Sequence, residues 1–72
     1  MARARAEQRY FRAVYEQERR RHDREALDHY NNASSADKEQ WERQGIVEHF
    51  ASRWRKLREA DAEVEAAKEA LQ

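Results

Sequence analysis

Cysteine is absent from these 72 residues, so no disulfide can staple the fold and no thiolate is at hand as nucleophile or metal ligand. Proline is absent as well, and one glycine, Gly45, is the only residue of its kind. This excludes a glycine-rich phosphate loop and removes most of the usual helix breakers. Long apolar runs are also missing: mean hydropathy is −1.41 and 42% of the residues are charged, which leaves no stretch able to cross a bilayer. An excess of either charge is lacking too, with 15 Lys and Arg against 15 Asp and Glu.

What is present is helix-forming. Ala, Glu, Arg and Gln dominate, accompanied by two Trp, three Tyr and two Phe, more large apolar side chains than a disordered tail usually has. The fold class is therefore all-α: a helical hairpin or short three-helix domain, residues 1–72 in one unit, with a long amphipathic, coiled-coil-like helix at its C-terminal end. A chain of this length buries only about 60% of its unfolded surface. Association is the expected supplement, and a homodimer is the expected state. The basic start, Met-Ala-Arg-Ala-Arg-Ala, runs into no apolar core, so neither a signal peptide nor a membrane span is expected and the protein is read as cytoplasmic.

Periodicity predicts a helix over about residues 3–22, with Phe11, Val14 and Tyr15 on one face and Tyr10 beside them. From Glu16 to Glu25 that face turns polar, and opposite charges four apart (Arg12 and Glu16, Glu16 and Arg20, Arg21 and Glu25, Arg24 and Asp28) support a solvated helix. Leu27 and Tyr30 point away from the Phe11 face, which implies a bend near residues 20–25 and a short helical segment over about 24–30. Residues 31–34, Asn-Asn-Ala-Ser, read as a turn, and Ser34 with Asp37 has the spacing of a helix N-cap.

A long helix is then expected over about 35–71. Its seam is Ile46, Phe50, Leu57, Ala60, Val64, Ala67 and Leu71, with Val47 and Trp54 alongside. Trp41 falls on the opposite side, so it is assigned to a second cluster with Leu27 and Tyr30. Gly45 costs about 1 kcal/mol relative to Ala within a helix, which implies close packing or a kink. Antiparallel pairing with the first helix sets Tyr10 and Phe11 near Trp54 and Leu57 and leaves Val64 to Leu71 thinly covered. The C-terminal seam is accordingly the expected self-association or partner surface, carried by Trp41, Val47, Phe50, Trp54, Leu57, Val64 and Leu71.

Charge is unevenly spread. Residues 1–24 hold eight Arg and four acids, a balance of +4, and residues 25–72 hold seven Lys or Arg and eleven acids, a balance of −4. That polarity suits antiparallel docking, within the chain or between copies. Arg12, Arg19, Arg20, Arg21 and Arg24 are the candidate contacts for nucleic acid or an acidic partner, against the plainer reading of a solvated face. His22, Glu25 and His29 have helical spacing but lack the three or four fixed ligands a metal needs. No nucleophile with a base, and no cofactor motif, is legible. No catalytic, cofactor or metal site is assigned, and no small-molecule substrate.

Tyr30, Ala33, Ser34, Asp37, Lys38, Trp41 and Gly45 resemble the stretch of a high-mobility-group (HMG) box in which the second helix ends on an aromatic, turns through Ser and enters the third helix as acid, Lys, aromatic and small residue. The resemblance is confined mainly to residues 30–45. The Arg-rich segment from Tyr10 to Arg21 is loosely similar to that family's first helix, and the stretch from Arg21 to Tyr30 is shorter than its second. The resemblance implies an L-shaped three-helix domain that bends DNA from the minor groove, with Tyr10 or Phe11 as wedge. The leading expectation from the residues themselves is a non-enzymatic protein-interaction module, a regulator, adaptor or inhibitor of a larger bacterial or phage-related protein. Nucleic-acid binding by the Arg-rich half is the alternative.

Overall fold

The computed structural model describes residues 2–72, with the side chains from Arg3 onward. Among the described residues every regular element is a helix: α1 (Ala2–Arg19), α2 (Arg21–Asn31), α3 (Ser35–Arg43) and α4 (Ile46–Glu69). The architecture is an all-α hairpin whose two arms are each jointed. One arm is α1 with α2, the other α3 with α4, and α4 packs back along α1 and α2.

The first joint is Arg20. Its backbone (φ −98°, ψ 20°) leaves the helical region, and its N–H donates to the Gln17 carbonyl at 3.1 Å, a tightened turn before the ladder resumes with Arg24 N–H on the Arg20 carbonyl at 3.0 Å. Neither Pro nor Gly is involved. The turn after Asn31 ends at Ser34, whose extended backbone and hydroxyl form the N-cap of α3, the oxygen accepting from Asp37 N–H at 3.2 Å.

The second joint divides the helix expected over residues 35–71. Gly45 sits at φ 74°, a left-handed conformation open to glycine at little cost, and its N–H donates to the Glu42 carbonyl at 3.1 Å to close α3. A Cβ built there would meet nothing within 4 Å. Backbone conformation, not close packing, is what requires the glycine.

The core is small and rich in alanine. Ala13 from α1 and Trp54, Leu57, Ala60 and Ala67 from α4 are buried. Alanine on both sides lets two helices approach to the short end of the usual 8–10 Å interaxial range. The molecule measures 53 × 18 × 14 Å, and its radius of gyration of 15.8 Å exceeds the roughly 11 Å of a compact domain this long.

The expected face of α1 is corrected by this packing. Phe11 and Tyr15 do not enter the core; each is 67% exposed, while Ala13 faces α4 and Tyr10 and Val14 are half-buried. The expected register shifts as well. Arg9 meets Glu63, and Trp54 meets Asp23 of α2 instead of Tyr10 or Phe11. That shift carries α1 further toward the end of α4, where Ala67 is fully buried and Val64 and Leu71 are half-buried. The first helix therefore covers the C-terminal seam better than its bulky residues suggested.

Candidate interaction surfaces

Three features stand out on this hairpin: an aromatic array at the jointed end, a charged groove between α1 and α4, and an uncovered aromatic ridge on the outside of α1.

The array merges the two clusters expected from sequence. Trp41 lies against His29 and Tyr30, with ring centroids at 5.2 and 5.9 Å, and Tyr30 in turn lies 5.6 Å from Trp54. Phe50 stacks on Trp54 at 5.4 Å. On an unbroken helix Trp41 and Trp54 would be on opposite faces and about 20 Å apart along the axis. The Gly45 joint folds α3 over so that both reach the same tyrosine. Trp54 is tied by its indole N–H, which donates to the Asp23 carbonyl at 3.1 Å. The Tyr30 hydroxyl donates to a Glu42 carboxylate oxygen at 3.1 Å, and that bond raises its pKa above the ordinary tyrosine value.

The groove between α1 and α4 has Ala13 and Ala60 in its lining, walls of Arg5, Gln8, Arg9, Arg12, Glu16 and Glu63, and a volume of about 600 Å³. Arg9 forks onto Glu63, Nε to one oxygen at 2.6 Å and Nη2 to the other at 3.3 Å. This hydrogen bond holds the Glu63 carboxyl below the usual carboxylate range and raises the Arg9 pKa. Further along, Asp61 accepts from Gln17 Nε2 at 2.9 Å and from Arg24. Arg24 thus reaches across to α4 instead of pairing with Asp28 on its own helix.

The Arg run is closely matched by acids. Arg19 pairs with Glu16 at 3.3 Å, Arg20 with Glu16 at 3.7 Å and Asp23 at 3.9 Å, and Arg21 with Glu25 at 3.6 Å. Among the described residues Arg5 and Arg12 have no acid within ion-pair distance. His22 lies 3.6 Å from Glu25, but His29 is turned onto Trp41, so the three residues with metal-like spacing are parted.

Of the seven residues expected to meet a partner, Trp54 and Leu57 are buried within the chain, and Trp41, Val47, Phe50, Val64 and Leu71 are half-buried. The bare aromatic surface lies elsewhere, on Phe11 and Tyr15. Helical periodicity grouped those two with Val14 on the face expected to pack on the long helix. The signal that could have placed them outside is the matched seven-residue spacing of Ala6 with Ala13 and Ala60 with Ala67, which marks a small-residue seam between two helices. Comparison with known proteins finds no matching family, no similar curated protein and no similar solved structure.

Proposed function

We propose that this chain is a non-enzymatic helical interaction module, a regulator, adaptor or inhibitor that works by presenting the outer face of α1 to another protein surface. The observation that carries the reading is the exposure of Phe11 and Tyr15, 67% each, on a helix whose other face is already packed against α4. Neighbouring aromatics left in water on an ordered helix are a feature of contact sites, and aromatic residues dominate interface energetics. Tyr10 extends the patch, its ring edge-on to Phe11 at 5.9 Å.

The test is affinity capture from an extract of the native host, using the wild-type chain and a Phe11→Ala/Tyr15→Ala double variant of equal helicity. A protein retained by the first and lost with the second is the expected result. Equal retention by both would overturn the assignment of this face.

Nucleic-acid binding is less well supported by the geometry. The acids beside Arg19, Arg20, Arg21 and Arg24 cancel most of the field that phosphate binding needs, leaving Arg5 and Arg12 as the support within the Arg-rich half. A salt-sensitive gel shift abolished by Arg12→Ala would restore that reading.

A further inference from the structure

We propose that the partner of the α1 outer face is the same face of a second copy of this chain, the two α1 helices lying parallel about a two-fold axis along their length. This rests on the reading of that face as a docking surface. At about 100° per residue, Ala4, Phe11 and Tyr15 fall within about 20° of the line directly opposite Ala13, forming a ridge that points away from α4.

The flanks of that ridge differ in charge. One side carries Glu7, with Arg3 paired to it, and the other carries Arg5, Arg12 and Arg19, while Glu18, seven residues on from Phe11, continues the ridge line itself. A two-fold axis parallel to the helices sets the Glu7 flank of each copy against the basic flank of the other, on both sides at once. An antiparallel axis instead sets arginine against arginine and acid against acid. Such self-complementarity is what an isologous interface requires of one surface, and a strip bearing it fits a second copy of itself.

The register is also specified. Phe11 meets Phe11 and Tyr15 meets Tyr15 across the axis, and Glu7 and Arg12, five residues apart, hold the flanking positions that face each other across a parallel pair. Arg12 has no acid partner within the chain among the described residues. Among the described residues Glu7 is held by Arg3 alone, at 3.3 Å between two exposed side chains, a contact easily exchanged. The two aromatics offer roughly 270 Å² per copy, taking about 200 Å² for each ring system. That is about a third of the roughly 800 Å² per partner of a stable interface, so the dimer is reversible and concentration-dependent.

Sedimentation equilibrium over a concentration series tests this directly. The expected mass rises from 8.7 kDa toward twice that value, and Phe11→Ala/Tyr15→Ala stays at the monomer mass. Glu7→Arg and Arg12→Glu should each weaken association several-fold, and the two combined should restore it. Because the chain has no cysteine, Ala4→Cys adds a single thiol, and in a parallel pair the two thiols lie close enough to oxidise to a cross-linked dimer. A monomer at every concentration overturns the proposal, as does failure of the combined charge reversal to restore association. A dimer that does not cross-link through Ala4→Cys overturns it too, because in an antiparallel pair the two thiols lie at opposite ends of the interface. A strictly monomeric chain that still captured a host protein through Phe11 and Tyr15 would sink only the second copy and leave the docking face standing.

Discussion

Leu57 and Phe11 have comparable apolar bulk and both sit within helices, yet Leu57 is 1% exposed and Phe11 is 67% exposed. Burial is what converts an apolar side chain into stability, at roughly 25 cal/mol per Å² removed from water. Leu57→Ala should therefore cost about 2–5 kcal/mol, a large part of what so small a domain has, whereas Phe11→Ala should change monomer stability by no more than about 0.5 kcal/mol. Urea titrations followed by circular dichroism, at concentrations where the chain is monomeric, would read the difference. Equal losses would mean that Phe11 is covered in solution. Glu63 gives the residue scale a pH dependence. Its hydrogen bond from Arg9 lowers the folded pKa, so its contribution is present above the ordinary carboxylate pKa and is lost as pH falls through the depressed folded value. Thermal melts of wild type and Glu63→Gln should thus differ at pH 7 and converge as pH drops below the carboxylate range.

At the scale of elements the decisive position is Gly45. Replacing it with Ala places an L-residue in a left-handed conformation at about 1–2 kcal/mol, with no clash to add to the strain, while favouring helix on both sides of the joint. Gly45→Ala is expected to fuse α3 to α4, carry Trp41 away from Tyr30 and His29, and red-shift tryptophan emission without loss of signal at 222 nm. Unchanged fluorescence would show that the aromatic array, not the glycine, sets the joint. The same position shows what was legible beforehand. All-α class, the Ser34 cap, the bend near Arg20 and a kink or close contact at Gly45 followed from local chemistry, because capping and backbone preference are written in neighbouring residues. The rotation of α1 and its register on α4 were not, since both depend on which of two apolar faces a distant helix selects. Phe11, Val14 and Tyr15 offered bulk, Ala6 and Ala13 offered close approach, and the hairpin took the second. The candidate docking face changed sides with that choice.

Over the whole molecule, the uneven charge of the two halves acts through a few cross-hairpin contacts. Arg9 to Glu63, and Arg24 with Gln17 to Asp61, connect the positive first part to the negative last part, whereas Arg3 to Glu7 and Arg43 to Glu39 stay within one helix. Folding brings +4 and −4 together with no net charge, so there is no global repulsion for added salt to relieve. Between about 10 mM and 1 M salt the Debye length shrinks from about 30 Å to 3 Å, which screens exposed attractions of this kind. Thermal stability of the monomer should accordingly decline as sodium chloride is raised, and the slope should flatten when Glu63→Gln and Asp61→Asn are combined. A melting temperature that climbs with salt would mean that like-charge crowding within the Arg run outweighs the cross-hairpin attraction. The same screening should loosen the parallel pair through Glu7 and Arg12, so dimer dissociation and the fall in monomer stability would share a salt dependence while responding to different variants: Glu7→Arg moves the first and leaves the second in place.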